Sequence, residues 1–383
     1  MWKIVKLGDM LEVQNGYAFN SKQFDADGDM PLIRIRDLKN ATNTETCYTG
    51  EYDDKYLVQS GDLLIGMDGE FRCYEWHGVT ALLNQRVCRL QNFHADLDQG
   101  YLLYAINSEL KKIEDVTGFT TVKHLSSNTI KQIELTIPPL AEQQRIVAKL
   151  DATFAEIDIA ISKERLKEIE NEKLKAKILS NFLYHKDRDQ FKLNEICLIK
   201  NGGTPNTKIE SYWDGDITWL TPKDMGKLDG KFVNDSERKI SNHGINNSSA
   251  KLIPSESIIL SCRAPIGHVF INKIEMSFNQ GCKGLITNDK VNVEYLYYFL
   301  LSSKKLLNDL GTGTTFKEIS SKVLGSIEIA LPPLHKQEEA IAKLDAAFLE
   351  IEHIEQCIER RKQNYAALKA AILSRELQSP KAA

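Results

Sequence analysis

The 383-residue sequence lacks the marks of a membrane protein, a secreted protein or a familiar enzyme. No apolar run approaches the ~18 residues of a membrane span. The opening Met1-Trp2-Lys3-Ile4-Val5-Lys6 has none of the long apolar stretch of a signal peptide, so a cytoplasmic chain is expected. The seven cysteines (Cys47, Cys73, Cys88, Cys197, Cys262, Cys282 and Cys357) are odd in number and scattered, with no C-x-x-C. Free thiols in a reducing compartment follow from that pattern. There is no H-E-x-x-H, no cysteine–histidine pairing at zinc spacing, no phosphate-binding G-x-x-x-x-G-K-[ST] and no G-x-G-x-x-G after a strand. Two Pro-Pro pairs lie in Ile137-Pro138-Pro139-Leu140 and Leu331-Pro332-Pro333-Leu334, without the Asn/Asp and aromatic flanks of an amino-methyltransferase motif. Glu170-Asn171-Glu172-Lys173 imitates a nuclease E-x-K, but it falls inside a predicted helix and reads as a solvated charged face. No catalytic residue, metal or cofactor is expected in this chain.

What the sequence does contain is itself, twice. Ile137-Pro138-Pro139-Leu140-Ala141-Glu142-Gln143 returns as Leu331-Pro332-Pro333-Leu334-His335-Lys336-Gln337. Ala148-Lys149-Leu150-Asp151-Ala152 returns unchanged as Ala342-Lys343-Leu344-Asp345-Ala346, and Phe154/Phe348, Ile157/Ile351, Leu174/Leu368 and Ile178/Ile372 hold the same register. Upstream the likeness thins. Asn84-Gln85 parallels Asn279-Gln280, and Thr120-Thr121-Val122-Lys123 parallels Thr314-Thr315-Phe316-Lys317. Each copy therefore has a divergent first part and a near-duplicate second part, as befits one architecture reading two different things.

Composition assigns the elements. Segments 1–137 and 191–331 alternate short β-rich runs, such as Leu63-Leu64-Ile65 and Ser257-Ile258-Ile259-Leu260, with Gly, Asn and Asp clusters. Segments 139–184 and 333–378 lack Gly and, after their opening residues Pro139 and Pro333, Pro as well; they are rich in Ala, Leu, Glu, Lys and Gln, which predicts two long helices, each starting at a Pro-Pro pair. Val147, Leu150, Phe154, Ile157 and Ile161 step by three and four, as do Ile341, Leu344, Phe348 and Ile351. That narrow seam wants a partner helix. The expected fold is α+β: two globular mixed α/β domains separated by two long helices that form an antiparallel coiled coil. The alternative is that each helix merely lies on its own domain.

Charge sets a limit on function. The net charge is −4; segment 1–137 carries 14 Lys+Arg against 20 Asp+Glu, and segment 191–331 carries 17 against 15. Neither is a basic block, so tight non-specific duplex binding by the chain alone is not expected, although a local basic groove is allowed. A partner would supply much of the phosphate neutralisation.

The ordered motifs resemble the specificity subunit of Type I restriction–modification systems along essentially the whole chain. In the first half they are Asn15-Gly16-Tyr17-Ala18-Phe19, Ser60-Gly61-Asp62-Leu63-Leu64, Gly66-Met67-Asp68-Gly69-Glu70-Phe71 and Asn84-Gln85. In the second they are Asn201-Gly202-Gly203-Thr204-Pro205, Tyr212-Trp213 through Trp219-Leu220-Thr221-Pro222, Gly244 through Pro254, Ile266-Gly267 and Asn279-Gln280-Gly281. The first half lacks the Gly-Gly-Thr-Pro and Trp-containing strings of the second. The resemblance implies target-recognition domains over 1–137 and 185–331, a central spacer helix over 138–184 and a C-terminal one over 332–383. It implies double-stranded DNA as ligand, two methyltransferase subunits docked on the helices and carrying S-adenosylmethionine, and a restriction-translocase subunit, with its ATP and Mg, joining for cleavage.

Base readout needs Arg or Lys for guanine and Asn or Gln for adenine, presented by loops. The first-half candidates are Asp68, Glu70 and Arg72, then Asn84, Gln85 and Arg86, then Lys123 and His124. The second-half candidates are Arg263, Asn279, Gln280 and Lys283, then Thr314, Thr315 and Lys317. Because Asn84-Gln85 and Asn279-Gln280 occur in both copies, a structural turn competes with base contact there. Lys123 and Lys317 are likewise shared, which suits phosphate positioning. Without the resemblance, a coiled-coil scaffold that binds only proteins fits the repeat as well.

Overall fold

The computed structural model describes residues 2–116, 124–183, 189–213, 215–312 and 317–378. The chain forms two compact units, one from Met1–Lys163 with Lys362–Ala383 and the other from Glu164–Arg361. Each unit therefore takes one stretch of each long helix.

In the first unit, strand Lys3–Lys6 pairs antiparallel with Glu134–Ile137, Lys3 opposite Ile137, closing the globular part directly before Pro138. A four-stranded sheet runs in the order Glu12–Asn15, Val87–Gln91, Leu63–Gly66, Cys73–Glu75. Its strand Leu63–Gly66 is buried throughout, and the pleat explains its unbroken apolar run. Leu63 and Ile65 face a core completed by Tyr101, Leu102, Ala105, Ile106 and Leu110 from helix Gln99–Val116. Leu64 points the other way, into a second cluster with Trp76, Leu83 and Val87. That cluster borders a five-stranded sheet containing Met30–Ile33 and Ala81–Leu83.

The second unit repeats the plan. Asp189–Lys192 pairs antiparallel with Glu328–Leu331 before Pro332. The central strand Ile258–Ser261 sends Ile258 and Leu260 to the core that helix Val293–Ser302 completes. It sends Ile259 to a second cluster with Leu220 and Phe278. Strand Cys282–Thr287 lies beside it in a five-stranded sheet.

The long helices span Leu140–Leu183 and Leu334–Glu376. Each start is fastened by a glutamine. Gln143 is fully buried; its Nε2 donates to the carbonyls of Asp96 and Pro138, and its Oε1 accepts from Asp98 N at 2.8 Å. Gln337 does the same with Lys290 and Pro332 as acceptors and Asn292 N as donor. Two turns later Leu150 and Leu344 are fully buried in the two cores, while Tyr104 donates to Asp151 and Tyr298 to Asp345. These contacts give the duplicated motifs a structural role: they join helix to globular part.

Within each unit the two helices run antiparallel. In the first, Lys149 meets Glu376 at 2.9 Å and Asp158 meets Lys369 at 2.6 Å. In the second, Glu164 meets Arg361 at 2.9 Å and Lys175 meets Glu355 at 2.7 Å. Leu150, Ile157, Ile341, Leu344 and Ile351 of the expected seam are buried, and Val147, Phe154, Ile161 and Phe348 are half-buried. The seam alone does not account for the two phenylalanines. Phe154 packs edge-on to Tyr104 and Phe348 to Tyr298, each a tyrosine of its own globular part, so the helices both pair and lie on their domains. The fold is the mixed α+β, two-domain coiled-coil class that the sequence predicts. Among the described residues, no helix is long and apolar enough to cross a membrane.

Candidate nucleic-acid interface

In the first unit the buried strand Leu63–Gly66 leads into Met67, which is held on both sides. Its N–H donates to Arg86 O at 2.9 Å, and its carbonyl accepts from Leu125 N at 2.7 Å. Asp68, the next residue, therefore emerges between two fixed segments. It forms an isolated antiparallel bridge with His124. Its carboxylate Oδ1 lies 2.8 Å from His124 Nδ1, and its Oδ2 lies 3.5 Å from Arg86 Nε. Arg86 also approaches His124 Nδ1 at 3.5 Å. Three of the sequence candidates thus form one cluster. Arg86 has φ 72°, a left-handed backbone that favours glycine and costs other residues about 1–3 kcal/mol.

The neighbouring candidates divide. Glu70 pairs with Lys39 at 3.3 Å, and the Arg72 guanidinium lies 5.6 Å from the Tyr74 ring centre, so neither joins the cluster. Asn84 is buried, and its Oδ1 accepts from Gln85 N at 2.9 Å. Its carbonyl also passes beneath Gly16, where a Cβ would lie 2.0 Å from the oxygen. Gln85 is exposed, with its N–H bonded to Tyr17 O. Lys123 lies outside the described residues.

The second unit has the same frame around different chemistry. Ser261 leads to buried Cys262, whose N–H donates to Gly281 O at 2.8 Å and whose carbonyl accepts from Ile319 N at 3.0 Å. Arg263 follows and bridges antiparallel to Glu318, with Nε donating to Oε2 at 2.8 Å. An open cleft of about 410 Å³ lies here, lined by Thr221, Lys223, Arg263, Asn279 and Gln280 among others. Asn279 repeats the turn: its Oδ1 accepts from Gly281 N, and its carbonyl lies 1.9 Å from where a Gly202 Cβ would sit. Gln280 is exposed and accepts from the Thr204 hydroxyl. Lys283 is 4% exposed, with Nζ donating to Asn201 Oδ1 at 2.9 Å, so it fastens the sheet to its neighbouring strand. Lys317 is exposed; Thr314 and Thr315 lie outside the described residues.

Residue-type reasoning did not pick out Glu318. The repeat held the signal, because Glu318 stands 194 positions after His124 and so answers Arg263 as His124 answers Asp68. Burial pushes the Cys262 and Cys88 thiols up to about 12, which keeps both protonated.

Comparison with known proteins agrees with this duplicated plan. The model of the Type I restriction modification DNA specificity domain matches residues 1–171 and, again, 185–360. The EcoBI specificity subunit of Escherichia coli is 40% identical over 169 residues, which cover 44% of this chain and 35% of that one, so the match spans about a third of that relative's length. The MjaVIII specificity subunit of Methanocaldococcus jannaschii is 22% identical over 368 residues, 90% of this chain and 85% of that one. Among solved structures, a chain from work on complex assembly and conformational transition in a type I R-M system superposes with a TM-score of 0.75 at 19% identity. It covers 99% of this chain and 98% of its own length, a likeness of fold. With both halves matched by the same domain model, this chain belongs to the family of type I restriction–modification specificity subunits.

Proposed function

We propose that this chain reads a bipartite, asymmetric duplex sequence. Residues 1–137 form one target-recognition domain and residues 185–331 the other, each recognising its own half-site. The long helices, over 138–184 and 332–383, space the readers and dock two methyltransferase subunits. In this reading the chain supplies no catalytic group and works in the cytoplasm. S-adenosylmethionine belongs to the methyltransferases, and ATP and Mg to a restriction-translocase subunit when one joins.

The observation that carries the proposal is a constant frame with variable contents. The main-chain bonds around Met67 and Cys262 match, while the side chains emerging beside them are Asp68, His124 and Arg86 in one unit and Arg263 and Glu318 in the other. A shared scaffold with different exposed polar groups suits two readers of different sequences. The acidic balance of 1–137 fits a subunit that relies on partners to neutralise phosphates.

The test is exchange. Residues 1–137 are replaced by the equivalent domain of a relative, and the chain is assembled with its methyltransferase subunits. The adenines that become methylated in a randomised duplex pool are then sequenced. One half of the target should change while the other stays. If both halves change together, or if the complex methylates without sequence preference, the two-reader reading fails.

A further inference from the structure

The matched bridges place acid and base in opposite order. The second residue after the central strand is acidic in the first unit, Asp68 facing the His124 imidazole, and basic in the second, Arg263 facing Glu318. The frame thus fixes a pair but not its polarity. Asp68, Arg263 and Glu318 are half-buried, and pairs that stay in contact with solvent add little to stability, so the stability of the fold does not account for them. Their geometry offers another reason. Each unit places one arginine at this edge, and each arginine is held by a carboxylate at Nε: Arg86 by Asp68 at 3.5 Å and Arg263 by Glu318 at 2.8 Å.

The Nε–Glu318 hydrogen bond orients the Arg263 guanidinium plane and leaves its outer Nη groups as the donors of a fork; at Arg86 the Asp68 ion pair is looser and one Nη stands 3.5 Å from His124 Nδ1. Arg263 presents that fork beside an open cleft. Arg86 does so from a left-handed backbone, φ 72°, that the corresponding Gly281 of the second unit does not adopt. The strain at Arg86 is thus tolerated at a position where the side chain, not the main chain, has a reason to be there. A planar fork of two donors matches the O6 and N7 acceptors of guanine in the major groove.

We infer that Arg86 and Arg263 each read one guanine, one per half-site, and that Asp68 and Glu318 are positioning residues that aim them. This rests on the two-reader reading and assigns its specificity-determining groups. Asn84, Asn279 and Lys283, all engaged within the fold, do not read bases in this scheme.

The test uses the chain assembled with its methyltransferase subunits, a randomised duplex pool and sequencing of methylated products. Arg263→Ala should lose discrimination about tenfold or more at a single guanine of one half-site, and Arg86→Ala likewise in the other half-site only. Arg263→Lys keeps the charge but not the planar fork, so it should weaken preference at the same guanine while retaining binding to random duplex. Glu318→Gln should relax that same position and add nothing further on top of Arg263→Ala, an outcome that a merely structural role would not give. Thermal unfolding of each variant separates misreading from misfolding, and Arg263→Lys preserves the test if Arg263→Ala is unstable. A uniform loss of binding across all sequences in the arginine variants would make them phosphate contacts and overturn the inference. Unchanged preference at every position would overturn it too. Absence of preference in the unaltered complex would instead sink the two-reader reading itself.

Discussion

Lys149 and Glu376 stand 227 residues apart in the chain and meet at 2.9 Å, Nζ to Oε1. The Lys149 ammonium, followed by Arg375, holds the Glu376 carboxyl below its ordinary 4.5. A carboxyl depressed in the folded state contributes stability that is fully present above that ordinary value and is lost as pH falls through the depressed one. Glu376→Gln should therefore lower the melting temperature near neutral pH. Its gap from the unaltered chain should narrow as the pH drops below about 4.5. A gap that stays constant in melts across that range would show that the pair does not tie the helices.

Gln143 should be costly to lose. Gln143→Leu would leave the carbonyls of Asp96 and Pro138 and the N–H of Asp98 without the partner they now share. Stranded buried polar groups cost about 1–3 kcal/mol each, and some will relax toward water. An overall loss of about 3 kcal/mol in urea unfolding is expected, and Gln337→Leu should cost a similar amount. A loss under about 1 kcal/mol at both would mean the glutamines do not fasten the helix starts.

Asn171 runs the other way. It is 8% exposed on the first long helix, and its Nδ2 has no hydrogen-bond partner among the described residues. Asn171→Leu should raise stability by about 1 kcal/mol. A buried asparagine in a seam more often fixes register than adds strength, so the same variant should loosen the antiparallel pairing. Cysteine cross-linking between matched and shifted helix positions would detect it. If shifted cross-links do not increase, Asn171 has no part in setting register.

The helices can also be used to test spacing. Inserting seven residues into each, beside Glu164 and beside its partner Arg361, keeps the three-four alternation of the seam. At ~1.5 Å per residue that lengthens the pair by about 10 Å, or about three base pairs at ~3.4 Å each. The preferred spacer between half-sites should grow by that amount with both half-site sequences unchanged. Methylation of a spacer-length library decides it; an unmoved optimum would assign the spacing to the methyltransferase subunits.

The helices, the duplication and the seam were legible because each is a local regularity: a composition, a fixed offset, a step of three and four. The Asn-Gln pairs were legible as shared features, and their turns beneath Gly16 and Gly202 explain why both copies keep them. The reading edge was harder. Residue type nominated Lys283, but the fold turns it inward onto Asn201, and it left out Glu318, whose partner Arg263 lies 55 positions away in the sequence. Phe154 and Phe348 fit a helix seam by spacing, yet their ring partners, Tyr104 and Tyr298, come from outside the helices. Long-range pairing of loops is set by main-chain bonds such as Leu125 N to Met67 O, which no short pattern encodes.

That the first unit is made of Met1–Lys163 together with Lys362–Ala383 bears on how the chain is born. On the ribosome, domains fold as units as they emerge, the N-terminal ones usually first. Here the N-terminal unit needs residues from beyond the second one: Glu164–Arg361 is contiguous in sequence, whereas the earlier-made unit is not whole until residues from 362 onward are made. Until they are in place, the apolar face around Phe154 that Ile372, Leu373 and Leu377 cover stays open, and exposed apolar surface of that kind invites aggregation.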